Sequence, residues 1–405
     1  MRWDYTLSVV NPNETISRFV NKTVPFRFLG IDLSFQLSHA LFSSFDIDDG
    51  TRLLLKSIAQ NVDLMGVRSI LDVGCGVGVI GACLKAKAPH ARTMLQDRDS
   101  LAAAFASANS QLNGMDDIQV RCCLGFHEVE EPVDLIVSNL PAKAGGSVLR
   151  DMFGHAAAML SPHGRAAIVI VSPLAGLARE QMKNLDCEVL HAEENKEYLV
   201  LHFRPRTRRN ESREERESLD TYVRLQGSFS HAGHTYPLST AFSLPDFDTL
   251  GHRLELSMDV LSGVAEAGNV LFWNPGQGHV PAFLHFRNAS VAGRDSLELA
   301  ITRHNLIVAG RAPQAVIPSP SERELRDMFA PESFDLLVAD PRPVPRVPWQ
   351  EELVLSAQHL VRPGGMLFLS STSTEVHRFL DAVTGFRMIG GKKQLGNRAV
   401  LLKRT

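Results

Sequence analysis

Disulfides and metal clusters have little to build on in this chain of 405 residues. Its cysteines are Cys75, Cys83, Cys122, Cys123 and Cys187, an odd set confined to the first half, with no Cys-x-x-Cys pair. That spacing excludes a disulfide framework and a zinc ribbon, and it fits reduced thiols in a cytoplasmic protein with no bound metal. No apolar run is long enough to span a bilayer, and Met1 is not followed by a signal-peptide pattern. Charge of either sign is also lacking in excess. The 42 Lys and Arg against 45 Asp and Glu leave a formal net charge of -3, so there is no global pull toward nucleic acid or an anionic membrane. What remains has the apolar content of a globular protein and enough length for two domains with full cores.

The run Leu71-Asp72-Val73-Gly74-Cys75-Gly76-Val77-Gly78-Val79-Ile80-Gly81 organises the first half. Ser69-Ile70-Leu71 reads as a short buried strand, and Val79 to Ala88 as a helix stopped by Pro89. A strand feeding a glycine turn that opens a helix cradles a nucleotide, because backbone N–H groups approach the ligand where no Cβ intervenes. The spacing is not that of a dinucleotide fingerprint: Gly74 and Gly76 fit G-x-G-x-x-G, but Val79 stands at the third glycine and the glycine falls at Gly78. Asp72 belongs to the turn on this reading. A carboxylate there repels a pyrophosphate and attracts an ammonium group. S-adenosylmethionine carries an ammonium on its methionyl end and no phosphate. The next strand, Arg92 to Gln96, closes on Asp97, which can accept from both ribose hydroxyls.

This ordered pair of acids around the glycine turn resembles the class I S-adenosylmethionine-dependent methyltransferases. Upstream, Phe42-Ser43 and Asp48-Asp49-Gly50-Thr51-Arg52-Leu53-Leu54 look like the pattern of the "methyltransferase small" family, which includes ribosomal-RNA guanine-N2 methyltransferases. The resemblance implies S-adenosyl-L-methionine as cofactor, held by Asp72, Gly74, Cys75, Gly76, Gly78 and Asp97. It also implies an antiparallel last strand.

The rest of the first half alternates strand and helix periods, pointing to an α/β doubly wound, Rossmann-like sheet. Strand-like pieces are expected at Tyr5 to Val10, Phe26 to Leu29, Ile118 to Cys123, Val133 to Ser138 and Ala166 to Val171, with a turn at Pro162-His163-Gly164. Leu101, Phe105, Ala108 and Leu112 form one helical stripe capped by Asp99 or Ser100. Arg204 to Asp220 is dense in Arg and Glu, has no apolar stripe, and reads as a solvated linker.

The second half repeats the first at an offset of about 200 residues. Phe42-Ser43 returns as Phe242-Ser243, Gly76 and Gly78 as Gly276 and Gly278, Asn109 as Asn305, and Asp134-Leu135 as Asp335-Leu336. One register kept over this length indicates a tandem duplication: domain 1–204, linker 205–220 and domain 221–405. The second copy is degenerate, since Asp72, Gly74 and Asp97 are matched by Phe272, Asn274 and Gly293. A bulky Phe272 in the turn suggests a filled pocket and a scaffold or substrate-holding role.

After the fourth strand comes Asn139-Leu140-Pro141-Ala142. Amino-group methyltransferases carry N/D-P-P-F/Y here, and the resemblance makes Asn139 and Pro141 the candidate catalytic residues. The amide accepts from the target NH2 and aligns its lone pair with the methyl group. Leu140 replaces the first proline and Ala142 the aromatic that stacks on a base, a surface that Phe42 or Phe45 could supply. His127, after the third strand, reads as a solvated loop histidine rather than a general base. The sequence thus supports an N-methyltransferase with RNA as acceptor. It leaves open a small molecule or protein side chain as acceptor, and a non-catalytic cofactor-binding protein.

Overall fold

The computed structural model describes residues 11–42, 45–207 and 211–405, so the strand expected at Tyr5 to Val10 lies outside the described residues. The chain divides into two units, residues 5–222 and residues 223–405.

The first unit opens with a short helix α1 (Pro12–Ile16) and the hairpin β1 (Lys22–Phe28) and β2 (Ile31–Leu37). The hairpin turns at Leu29-Gly30, both at positive φ (46° and 83°), a two-residue turn whose twist matches that of its strands. Helix α2 (Asp49–Asn61) starts at Asp48, whose carboxylate caps it by accepting from the Thr51 N–H. Its buried face carries Leu54, Leu55 and Ile58, each contributing about 1.5–3 kcal/mol on burial.

There follow β3 (Ser69–Val73), α3 (Val79–Lys87), β4 (Arg92–Asp97), α4 (Ser100–Leu112), β5 (Gln119–Cys122), β6 (Val133–Asn139), α5 (Gly146–Ala158), β7 (Leu160–Val171), α6 (Ala175–Asn184), β8 (Cys187–Glu194) and β9 (Tyr198–Pro205). They build a seven-stranded sheet of order β5-β4-β3-β6-β7-β9-β8. Only β9 runs antiparallel to its two neighbours. The order reverses beside β3, where doubly wound sheets open a crevice for ligands.

Two local readings are corrected. Pro162-His163-Gly164 is not a turn but lies within β7, at the register shift between Val133 and Leu135 of the neighbouring strand. A Cβ at Gly164 would stand 2.7 Å from the Val133 carbonyl, so glycine lets the two backbones approach there. Leu112 leaves the stripe of α4 and is 48% exposed, because it sits in the last turn of the helix.

Part of the charged run after β9 is folded onto this unit. Helix α7 (Arg213–Arg216) has a capping box between Ser212 and Glu215. Arg213 bonds Glu128 and Glu217, and Arg216 donates to the Val129 carbonyl. His155 of α5 is held between Asp151 and Glu211. Burial alone would lower its pKa, but the bonds and charges of the two carboxylates prevail and push it up to about 9.

The second unit repeats the plan. A hairpin, β10 (Val223–His231) and β11 (His234–Ala241), precedes helix α8 (His252–Leu261). Then come β12 (Ala267–Trp273), β13 (Phe286–Gly293), β14 (Ala315–Pro318), β15 (Phe334–Ala339), β16 (Val361–Thr372), β17 (Phe386–Gln394) and β18 (Asn397–Arg404). The sheet order β14-β13-β12-β15-β16-β18-β17 is that of the first unit, strand for strand. The register agrees too: Asp72 lies opposite Leu95 and Val137, Phe272 opposite Val291 and Val338.

Candidate functional site

The glycine loop is shaped by three positive φ values, 72° at Gly74, 55° at Gly76 and 88° at Gly78. A Cβ at Gly74 or Gly76 would meet nothing within 4 Å, so these two glycines face open space. Gly78 differs: its Cβ would lie 3.1 Å from the Ala106 Cα, so it lets the loop seat on α4.

Asp97, the last residue of β4, ties this loop to the strand beside it. Its Oδ2 accepts the Gly76 N–H at 2.9 Å and its Oδ1 the Asp99 N–H at 2.9 Å. The Gly74 and Cys75 N–H groups both donate to the Gln96 carbonyl. Burial pushes the Asp97 carboxyl up to about 6, against the pull of those backbone bonds.

Asp72 stands within β3, not in the turn, because the strand continues through Val73; its side chain is 0% exposed. One oxygen accepts the Gly81 N–H in the first turn of α3 at 2.9 Å, and the other is buried with no hydrogen bond. Burial pushes this carboxyl up to about 7. Such a group favours a cationic ligand, which would compensate its charge. Cys75 is buried in the loop, and burial next to Asp97 and Asp72 raises its thiol, so it is a wall and not a nucleophile.

Asn139 is the last residue of β6. Its Nδ2 donates to Asp48 Oδ2 at 2.8 Å and to Thr51 Oγ1 at 3.2 Å. Neither partner received a role in the sequence reading, although both lie in the Asp48–Thr51 motif. Leu140 turns inward and is buried, while Pro141 and Ala142 are exposed. Asn139, Asp48, Thr51, Gly74, Cys75 and Gly76 line one cavity of about 60 Å³, closed on one side by Phe42. Phe42 is 75% exposed, an uncommon position for a bare aromatic ring. Pro141 does not line this cavity, and neither does Phe45, whose ring packs edge-on against His39.

A larger hollow of about 660 Å³ lies away from the loop, lined by Lys85 at the end of α3 and by Asn113 and Asp117. The Lys85 ammonium is spent on the Pro89 and Ala91 carbonyls and on Asp117.

His127 is a correction. It is 3% exposed, and burial together with the nearby His155 lowers it to about 4. The segment after β5 folds inward there, with Gln96 Nε2 donating to the His127 carbonyl and to Cys123. A neutral buried imidazole away from the cavity is a packing group.

In the second unit the corresponding loop is filled by its own side chains. Phe272 is on β12 and not in the turn; it is buried in the core with its ring centroid 5.6 Å from that of Phe286. Asn274 accepts the Arg294 N–H and donates to the Asp340 carbonyl. A Cβ on Gly293 would stand 3.1 Å from Asn274 Oδ1. Gln277 bonds Ala241, Pro245 and Phe247. Asp340, at the position of Asn139, forms an ion pair with Arg253 of α8.

Comparison with known proteins agrees with this geometry. The model of a family described as "Methyltransferase small domain" matches residues 32–202. A "Ribosomal RNA small subunit methyltransferase C" of Hahella chejuensis is 36% identical over 133 residues, 32% of this chain and 37% of that protein. The namesake protein of Actinobacillus pleuropneumoniae serotype 7 is 34% identical over 142 residues, 34% of this chain and 42% of its own. The matched stretch therefore spans about two-fifths of the length of these relatives. Among solved structures, one titled "T. Thermophilus 16S rRNA N2 G1207 methyltransferase (RsmC) in complex with AdoMet and Guanosine" superposes with a TM-score of 0.66 at 17% identity. The superposition covers 98% of this chain and 100% of that one, a likeness of fold that includes the tandem sheets.

Proposed function

We infer that this chain, whose residues 32–202 are a methyltransferase small domain, transfers a methyl group from S-adenosylmethionine to an exocyclic amine of RNA. One observation carries the reading: the open glycine loop and the Asn139 amide line the same small cavity at the switch point of the sheet. The residues fit the cofactor. Gly74, Cys75 and Gly76 offer close backbone approach, with Gly78 and Gly81 seating the turn against its neighbours. Asp97 has lone pairs left for ribose hydroxyls. Asp72 has a buried oxygen without a hydrogen bond below the loop, and its ionised form would be favoured by the methionyl ammonium.

When bound, S-adenosylmethionine supplies an electrophilic methyl group. The protein's own contribution is orientation. Asn139 accepts an N–H of the target amine and turns the nitrogen lone pair toward the cofactor, with little acid–base help needed. Pro141 stiffens the turn that carries Asn139. Phe42 offers an exposed face on which an unpaired base can stack, replacing the aromatic absent at Ala142. The relatives named for ribosomal RNA support RNA as the acceptor. Five buried cysteines outside any disulfide suit work in the cytoplasm.

On this reading methyl transfer belongs to the amino-terminal domain, 1–204 with the charged run 205–220 behind it. The copy from 221 on holds substrate or serves as scaffold. The test is transfer of label from S-adenosylmethionine into separated RNA, protein and small-molecule pools. Label in RNA, with retention that weakens as salt rises, supports the reading. Label only in another pool moves the acceptor, and no turnover with any pool removes the enzyme.

A further inference from the structure

We propose that Asp48 is a positioning residue that locks the side-chain amide of Asn139 with its oxygen toward the cavity, so that the site takes hydrogen-bond donors such as an amine and turns away bare acceptors. This rests on the reading of the cavity as a methyl-transfer site, and it adds the feature that sets which atoms can be presented there.

An Asn amide has two nearly equivalent orientations, one offering an oxygen to the substrate and the other an NH2. The neighbours decide between them. Asp48 Oδ2 lies 2.8 Å from the amide nitrogen, and a carboxylate can only accept. Flipping Asn139 would bring its oxygen against that carboxylate, two acceptors with no proton between them. The NH2 group therefore points to Asp48, with Thr51 Oγ1 as a further acceptor at 3.2 Å. The amide oxygen is left for the cavity. An amine can donate to it. A base carbonyl or an unprotonated ring nitrogen has no proton to give and meets a repelling lone pair.

Asp48 is itself fixed. It caps α2 by accepting the Thr51 N–H at 3.2 Å through the same oxygen. A Cβ at Gly50 would stand 2.9 Å from that oxygen and 3.0 Å from the Tyr198 ring, so the absent side chain leaves room for the carboxylate. The second unit follows the same rule with different partners. There Asp340, itself an acid, is met from α8 by the donor Arg253. In both units the residue at the end of the fourth strand of the sheet is matched by a complementary group at the start of the helix that precedes the first.

The partners can be exchanged. Asp48→Asn puts a neutral amide where the carboxylate stood. With its oxygen toward Thr51 it keeps the cap and the wild-type arrangement, and with its NH2 there it partners a flipped Asn139, so the orientation is no longer locked. Asn139→Asp sets two carboxylates face to face. The double substitution restores one donor and one acceptor between the two residues. The new NH2 at position 48 faces the new carboxylate at position 139, at the cost of the Thr51 cap, with the remaining oxygen of residue 139 still toward the cavity. Two measurements read this. The first is hydrogen exchange of the Asn139 side-chain NH2 by nitrogen-15 NMR, which needs no substrate. We expect slow exchange in the wild type and at least about tenfold faster exchange in Asp48→Asn. The second is single-turnover transfer of tritiated methyl to small-subunit ribosomal RNA transcribed in vitro. Asp48→Asn should lower kcat by roughly 10–100-fold while S-adenosylhomocysteine affinity changes by no more than about twofold. The exchanged pair should regain most of that loss, a coupling that a merely structural role would not give.

Exchange of the Asn139 NH2 at the rate of a free amide, or unchanged by Asp48→Asn, overturns the proposal. So does an exchanged pair that is as stable to denaturant as Asp48→Asn and yet no better than its worse single variant. A wild type that methylates nothing removes the functional reading instead, and the exchange measurement still judges the lock.

Discussion

Asp97 Oδ2 accepts the Gly76 N–H at 2.9 Å, so the carboxylate assigned to the ribose also holds the loop assigned to the methionyl end. On the proposed assignment the two halves of the cofactor site are one mechanical unit. Losing either group disturbs both.

Asp97→Ala is therefore expected to weaken S-adenosylhomocysteine binding by more than the ribose contact alone, roughly 100-fold or more, since charge-assisted bonds contribute about 1.5–3 kcal/mol each. Calorimetry on wild type and variant checks this. A loss below about threefold would separate Asp97 from the cofactor.

Asp72 should make stability and binding depend on pH in opposite directions. Its carboxyl moves from 3.8 in the unfolded chain up to about 7 in the fold, because burial penalises its charge. Between those values the folded form holds more protons than the unfolded form, so stability contributed by this group falls as pH rises from about 4 to about 7 and then levels off. The span corresponds to on the order of 4 kcal/mol. A cationic methionyl end favours the ionised form, so cofactor affinity should strengthen as pH rises through the same range. Chemical denaturation and calorimetry at pH 5.5, 6.5 and 7.5 measure both. Asp72→Asn should flatten both profiles; profiles that keep their slopes in that variant would clear Asp72 of the role.

One cofactor should bind per chain. The loop of the second unit is occupied by Asn274 and Gln277, and Phe272 replaces the buried acid. Titration with S-adenosylhomocysteine is expected to give a stoichiometry near one. A value near two would mean that the second loop opens.

Asn139→Ala and Phe42→Ala should separate two contributions to the same cavity. Removing Asn139 takes away an acceptor used when the amine is aligned, at a cost on the order of 2–4 kcal/mol in the barrier. That is about a hundredfold or more in kcat, with little change in cofactor affinity. Removing Phe42 costs stacking, about 1–3 kcal/mol per base, and should raise KM for RNA. Steady-state kinetics on both variants tests the split, and an Asn139→Ala enzyme of normal kcat would reduce Asn139 to a turn residue.

Much of this was legible in the chain itself. The glycine loop, the strand before it and the helix after it are local, and positive φ at Gly74, Gly76 and Gly78 follows from where glycines stand. The duplication was legible because one register persists, and the equal strand orders of the two sheets match it. Asp97 could be named because it closes the next strand, roughly 20 residues beyond the glycine turn.

What the chain did not disclose are the meetings between distant residues. Asn139 and Asp48 are 91 positions apart, and their bond exists because β6 and the start of α2 converge at one sheet edge. Asp72 appeared to be a free acid in a turn; packing buries it completely beneath α3. His127 appeared to be a solvated loop residue, yet the loop folds inward and neutralises it. Periodicity and glycine placement report on neighbours within a few residues. Charge state, hydrogen-bond orientation and access to a cavity depend on which distant groups exclude water from one another, and only the assembled sheet and its helices decide that.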